Sequence, residues 1–304
     1  MEQKDIVVQP QDNTLPANYL GLEEEYSSIK KSKVVIVQAP YDKTTTYVHG
    51  AVNGPAAIID ASRYMERFDD ELNQETFKIG IHTMDPLPVR DLPSEEMVEK
   101  VYAQTGELLK ANKFPVLLGG EHAVTIGAVK AFKDAYPGLS VLHLDAHSDL
   151  RDTYFGSKLN HGCVARRISE ICPIVQAGTR SISKEEKDFL ASGANGRIKI
   201  FNVYDILEMP LWKDSVSNSL SENVYITIDL DVFDPALVPA TGTPEPGGIG
   251  WYEALSLLRE VTKDKKVVGF DVVELCPIKG NVASDFLAAK LVYRLLGYVF
   301  PIKK

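Results

Sequence analysis

The stretch Val141-Leu142-His143-Leu144-Asp145-Ala146-His147-Ser148-Asp149 decides the fold. Its first half is a short apolar run of the kind that suits a strand buried on both faces. Its second half sets Asp145, His147 and Asp149 at alternate positions directly after that run. Alternate side chains of an extended chain share one face, so these three project to the same side. Carboxylate and imidazole together suit Mn, Fe, Co, Ni or Zn. In open parallel sheets, ligands bind in the crevice outside the carboxyl ends of the strands. An apolar strand that runs straight into three potential ligands therefore predicts a parallel α/β sheet with a metal site at its carboxyl edge. His143 shares their parity but lies inside the strand, where a hydrogen-bonded core histidine is the expectation.

The same rhythm extends outward along the chain. Strands are expected at Lys33–Gln38, Phe77–Ile81, Pro115–Leu118, Leu139–Leu144, Ile174–Ala177, Ile198–Phe201, Val224–Ile228 and Val267–Asp271. Helices are expected at Pro55–Glu66, Ser94–Ala111, Ala123–Ala135, Ser183–Ser192, Trp251–Lys263 and Ser284–Val299. Strand-then-helix alternation implies βαβ units and a mostly parallel sheet covered by helices on both faces. Residues 1–30 are polar and read as an N-terminal arm. No linker divides the rest, so residues 1–304 read as one domain.

Composition narrows the function. Of the 304 residues, 44 % are hydrophobic, which excludes a disordered chain. Lys and Arg number 33 against 42 Asp and Glu, a net charge of −9. That balance argues against nucleic acid as the partner, because phosphate contacts need clustered Lys and Arg. No apolar run approaches the ~20 residues of a membrane span. The opening Met1–Asp5 lacks the apolar core of a signal peptide, and three cysteines are too few for a disulfide framework. The expected setting is the cytoplasm.

Three more strand ends carry chemistry. Leu117-Leu118-Gly119-Gly120-Glu121-His122 places a histidine at the start of a helix, after a turn that two glycines permit. Tyr225-Ile226-Thr227-Ile228-Asp229-Leu230-Asp231 ends an apolar strand with two alternating carboxylates. Such a pair repels unless a cation lies between them or one takes a proton. Asp234, before Pro235, reads as a turn residue. Gly269-Phe270-Asp271-Val272-Val273-Glu274 brings a further carboxylate to the same edge. His122 and His147 are neutral ligands, and Asp145, Asp149, Asp229 and Asp231 supply four negative charges. Two divalent cations balance them. Six such ligands, none of them Cys, fit a two-metal site better than a structural zinc. Two metals ~3.5–4 Å apart lower the pKa of a shared water towards ~7, which predicts a hydrolase.

Together these residues closely resemble the ureohydrolase family, which includes arginase and agmatinase. The resemblance rests on Gly119-Gly120-Glu121-His122, Asp145-Ala146-His147-Ser148-Asp149 and Asp229-Leu230-Asp231-Val232-Phe233-Asp234-Pro235. Ala240–Gly248, Asp271–Glu274, Pro40-Tyr41-Asp42, Gly50 and Gly54-Pro55-Ala56 extend it. It implies a three-layer α/β/α fold with an eight-stranded sheet and two Mn2+ per chain, with Ni2+, Co2+ or Fe2+ as alternatives. One metal would be held by His122, Asp145, Asp149 and Asp229, the other by His147, Asp145, Asp229 and Asp231, with Asp145 and Asp229 bridging. It also implies a trimer or hexamer.

The family hydrolyses guanidinium groups to urea and an amine. By the resemblance, Glu274 would pair with the guanidinium, Asp149 would pass a proton to the leaving amine, and His161 would act as proton shuttle. A free pKa near 6.5 suits that role. Thr243 would line the site. Thr243-Pro244-Glu245-Pro246-Gly247-Gly248 looks more like agmatinase than arginase, and the loop Arg151–Asn160 lacks the arginase pattern. Asp152 and Tyr154 would favour a cationic or apolar tail, so the expected reaction is agmatine to putrescine and urea. Gln38-Ala39 and Asn160 depart from the usual agmatinase residues. Other guanidines therefore stay open: aminopropylagmatine, guanidinobutyrate, arginine, formiminoglutamate and guanidine itself. The rival classes are a single-zinc deacetylase on a similar sheet and an inactive relative that only binds a partner.

Overall fold

The computed structural model describes residues 15–193 and 196–302. In chain order the elements are α1 (Glu24–Ser27), β1 (Val34–Ala39), α2 (Gly54–Ser62), β2 (Ile81–Thr83), α3 (Ser94–Lys110), β3 (Phe114–Gly119), α4 (Val124–Ala135) and β4 (Leu139–Leu144). They continue with α5 (Val164–Ile171), β5 (Ile174–Thr179), α6 (Lys184–Ala191), β6 (Ile198–Asn202), α7 (Val203–Glu208), α8 (Trp212–Ser219), β7 (Asn223–Asp229), α9 (Trp251–Asp264), β8 (Lys266–Val273) and α10 (Ala283–Val299). The eight strands form one sheet in the order β2-β1-β3-β8-β7-β4-β5-β6. Every pairing in it is parallel.

Both faces of the sheet are covered, which is why its strands read as unbroken apolar runs rather than alternating ones. Along β1, Val34 and Ile36 join one core while Val35, Val37 and Ala39 join the other. The first core takes residues of α2, α7, α8, α9 and α10. The second takes α3, α4 and α5, with α6 packed against it. In α3 the buried residues Met97, Val98, Val101, Thr105 and Leu108 fall on one stripe. Glu95 and Glu96 open that helix and Lys110 closes it, each complementing the helix dipole. The result is the expected three-layer fold. No helix among the described residues is long and apolar enough to cross a membrane.

Three local expectations need correcting. The strand expected at Phe77–Ile81 begins only at Ile81, because Thr76–Ile79 form a 3-10 turn. Gly80 makes that turn possible. Its φ is 78°, and a Cβ there would stand 2.7 Å from the Cα of Ser32. The helix expected to reach Glu66 stops at Ser62, whose hydroxyl donates to the Ile59 carbonyl and accepts from the Leu20 amide. The stretch read as an arm is only partly one. Residues 1–14 lie outside the described residues, whereas Tyr19, Leu20 and Leu22 are buried, and the Tyr19 hydroxyl donates to the Ala289 carbonyl at 2.7 Å. The short helices α1, α5, α7 and α8 were not anticipated, being too brief for a clear helical period.

Strand order brings the chemistry together. The four strand ends singled out in the sequence belong to β3, β8, β7 and β4, which are consecutive neighbours in the middle of the sheet. Residues up to about 150 positions apart are thereby placed side by side at one edge.

Candidate metal centre and active site

Each strand end is held open towards the crevice by local geometry. After β3, Gly120 packs so closely on the chain at Tyr41 that a Cβ would meet the Tyr41 carbonyl oxygen at 2.0 Å. Its carbonyl accepts from the Glu274 amide at 2.7 Å, which ties the β3 and β8 ends together. Asp149 and Glu274 both adopt left-handed backbone, with φ of 51° and 64°. Non-glycine residues are uncommon there, and such strained positions concentrate at functional sites.

His122 lies at the centre. Its Nδ1 is 3.1 Å from Asp145 Oδ2 and 3.4 Å from both Asp149 Oδ2 and Asp229 Oδ2. His147 Nδ1 lies 2.9 Å from Asp231 Oδ2 and 3.6 Å from Asp145 Oδ1. Two groups result: His122, His143, Asp145 and Asp149 in one, and Asp145, His147 and Asp231 in the other. Asp145 belongs to both. Backbone amides fix the carboxylates: Asp145 accepts from His147 N–H at 2.6 Å, Asp231 from Ala146 N–H at 3.0 Å, and Asp229 from Asp231 N–H at 2.9 Å. Arg180 clamps the surrounding loops by donating to the carbonyls of Asp231, Val232, Phe233, Glu245 and Pro246.

The electrostatics call for a cation. His122 Nδ1 and Asp145 Oδ2 are buried and make no hydrogen bond among the described residues. Burial drives the Asp149 carboxyl up to about 7, reinforced by the charge of Asp145. Burial and the neighbouring Asp231 and Asp145 raise Asp229 as well. Burial alone would lower both histidines, but the carboxylates around them outweigh it and push His122 and His147 up. Protons are thus retained where divalent cations would offset the same charge. A buried set of carboxylates and imidazoles, sharing one carboxylate, fits two such cations.

His147, Asp149, Asp229, His161 and Thr243 line a cavity of ≈ 210 Å³ above these groups, together with Arg151 and Tyr154. His161 lies 4.0 Å from Glu274 Oε1 through its Nδ1. Burial and the nearby His147 and His122 lower its pKa to about 4, so it is neutral in the free protein rather than poised near 6.5. Glu274 accepts from the His122 amide at 2.6 Å through Oε1. Burial raises its pKa, with nearby Glu121 adding to the effect. Two expected substrate-binding residues, Glu274 and Asp152, do not line this cavity; Glu274 stands beside His122 and His161, whereas Asp152 pairs elsewhere. Asp152 accepts from Arg167 at 2.6 Å and lies 3.7 Å from Lys158. Its charge is neutralised outside the cavity. The Tyr154 ring carries the Arg151 guanidinium 4.6 Å from its centroid.

Several supporting residues were missed in the sequence. Glu121, in the Gly-Gly-Glu-His turn, accepts from both the amide and the hydroxyl of Thr44, and Thr44 Oγ1 accepts from the His161 amide at 3.1 Å. His143 was expected to be a satisfied core residue. Its ring does stack on His122 at 4.9 Å and accepts from Gln176 at 3.1 Å, but its Nε2 stands 3.4 Å from Asp145 Oδ2. Its shared parity with Asp145 and His147 was the available signal.

A parallel α/β/α sheet with this carboxylate–imidazole cluster at its carboxyl edge defines a metal-dependent hydrolase. The Arginase family model matches residues 32–297, and the chain belongs to that family. It is 38 % identical over 283 residues to an N(1)-aminopropylagmatine ureohydrolase of Synechocystis sp., covering 90 % of this chain and 92 % of the relative. It is also 38 % identical over 275 residues to an agmatinase of Pyrococcus horikoshii, covering 88 % and 93 %. Among solved structures it is similar to the agmatine ureohydrolase of Thermoplasma volcanium, with a TM-score of 0.82, 27 % identity, and coverage of 93 % and 94 %. The protein is a ureohydrolase, an amidinohydrolase of the arginase family.

Proposed function

We propose that this protein hydrolyses the guanidinium group of agmatine, giving putrescine and urea. The observation that carries this reading is Asp145, shared by two carboxylate–imidazole groups whose members Asp149 and His147 line a cavity with His161 and Thr243. His122, Asp145, Asp149 and Asp229 would hold one divalent cation, and His147, Asp145, Asp229 and Asp231 the other, with manganese the favoured metal. When bound, the pair would supply Lewis acidity that lowers the pKa of a water towards neutrality.

The chain's own residues do the rest. Glu274 would face the guanidinium with the carboxylate oxygen that His122 leaves free. A charge-assisted bond of that kind orients a planar cation. Burial that disfavours the Glu274 anion in the free protein also strengthens its attraction for a cationic substrate. Asp149, a carboxylate that lines the cavity beside His122, is suited by its position to take a proton and return it to the leaving amine. His161, held neutral, would accept a hydrogen bond from a substrate nitrogen and help exclude water. The substrate is a small cationic guanidine, and the working form is a homo-oligomer in the cytoplasm.

Hydrolysis of N(1)-aminopropylagmatine is a second reading, favoured by the 38 % identity to the Synechocystis ureohydrolase of that name. It shares the guanidinium and differs in the tail. A urea-release assay over agmatine, aminopropylagmatine, guanidinobutyrate, arginine and guanidine separates the two. The expected best substrate by kcat/KM is agmatine, whereas a preference for arginine would overturn both readings.

A further inference from the structure

Thr227 stands on β7 two residues before Asp229, so the two side chains share a face of the strand. Its Oγ1 lies 2.8 Å from His122 Nε2 and 2.6 Å from Asp271 Oδ1. Asp271, on β8, is fully buried, and its Oδ2 accepts from the Tyr225 hydroxyl at 2.7 Å and the Thr125 hydroxyl at 2.9 Å. With Asp271 ionised, the form that the three hydroxyls donating to it favour, donor and acceptor roles in this relay follow by elimination. A carboxylate has no hydrogen to give, so Thr227 donates to Asp271. A hydroxyl has one hydrogen, so towards His122 the Thr227 oxygen can only accept. His122 Nε2 therefore carries the N–H, and the lone pair of the neutral ring sits on Nδ1. Nδ1 is the atom that points at Asp145, Asp149 and Asp229, between 3.1 and 3.4 Å from their oxygens. The stack with His143, 8° from parallel, holds the plane of the ring.

We propose that Asp271, acting through the Thr227 hydroxyl, is a positioning residue that selects the tautomer and angle in which His122 offers Nδ1 to a divalent cation. This rests on the two-metal reading of the centre. A metal-bound histidine generally donates its second N–H to a carboxylate, a carbonyl or water, and loss of that partner costs about 10–100-fold in metal affinity. Here a hydroxyl is inserted between carboxylate and ring. The insertion lets Asp271 act from the buried interior of the sheet without touching the ring itself.

The test uses the full chain and cobalt as the probe, read by visible absorption and by chelator competition, with thermal unfolding of the metal-free form as a control. Thr227→Val keeps the shape and removes the hydroxyl, whereas Thr227→Ser keeps the hydroxyl. The expected result is that one of the two cobalt ions binds about 10–100-fold more weakly to Thr227→Val, with an altered absorption band, and within about threefold of wild type to Thr227→Ser. Asp271→Asn carries the same expectation if Thr227→Val does not unfold cooperatively. Its amide can donate to Thr227 and so reverse the chain of hydrogen bonds. Wild-type affinity for both ions in Thr227→Val and Asp271→Asn, or equal losses in Thr227→Val and Thr227→Ser, would overturn the proposal and leave the two-metal reading standing. A wild-type protein that binds no cobalt would overturn both.

Discussion

The two histidines of the centre occupy opposite environments. The His122 side chain is 1 % exposed, held by Thr227 on one edge and stacked on His143. The His147 side chain is 25 % exposed, lines the cavity, and faces Glu245 across 3.8 Å through its Nε2. The first sits in the turn between β3 and α4, at the ends of the central strands. The second lies on the loop beyond β4. One half of the centre is therefore set by the packed interior, where few arrangements are possible. The other is set by loops that also line the cavity. Asp145 joins them.

The largest effect should come from breaking that joint. Asp145→Asn is expected to lose both metals and to lower kcat/KM on the order of 10³-fold, equivalent to about 4 kcal/mol of transition-state stabilisation. Metal content per chain and urea release measure it. A variant that still holds two metals would show that the halves are independent.

A smaller effect comes from acid. A bound cation needs Asp149 ionised, and in the free protein burial keeps that carboxyl protonated up to about 7. Protons therefore compete below that value, and manganese affinity should fall as pH falls through about 7, by about tenfold per unit for each proton displaced. Titrations at pH 6 and pH 8 check the slope. Equal affinities at the two values would mean that the carboxylates are already ionised without metal.

The smallest effect tests the open half. Asp152 is tied to Arg167 outside the cavity, and a partly exposed pair of this kind contributes about 0–1 kcal/mol. Asp152→Ala should therefore change KM for agmatine by less than about twofold in steady-state kinetics. A tenfold rise would return Asp152 to the substrate tail.

Much of this centre was legible along the chain because parallel sheets announce themselves. A buried strand must be apolar, so a polar residue at its carboxyl end stands out. Asp145, His147, Asp149, Asp229 and Asp231 lie at the ends of apolar runs, and His122 follows one after a Gly-Gly-Glu turn. The supporting residues sit elsewhere in the pattern. Thr227 and Asp271 lie inside strands, where a polar side chain looks like an interruption until its partner on the neighbouring strand is known. Glu121 reads as part of a glycine turn, although its work is to hold Thr44. Asp152 is the reverse case. It lies in a site loop, but its side chain pairs with Arg167, fifteen residues on, within a helix the sequence did not announce.

Sequence alone determined the alternation of strands and helices, the layered fold and the ligand-bearing strand ends. Each of these is a local consequence of periodicity and of burial on two faces. Tertiary structure alone decided that β3, β8, β7 and β4 stand side by side, which nitrogen of His122 faces the carboxylates, and which acids reach the cavity. Those outcomes depend on which strands pair and on single hydrogen bonds between residues as many as 152 positions apart, such as that from the His122 amide to Glu274. Spacing along one chain does not specify such contacts, because the same local pattern is compatible with several strand orders.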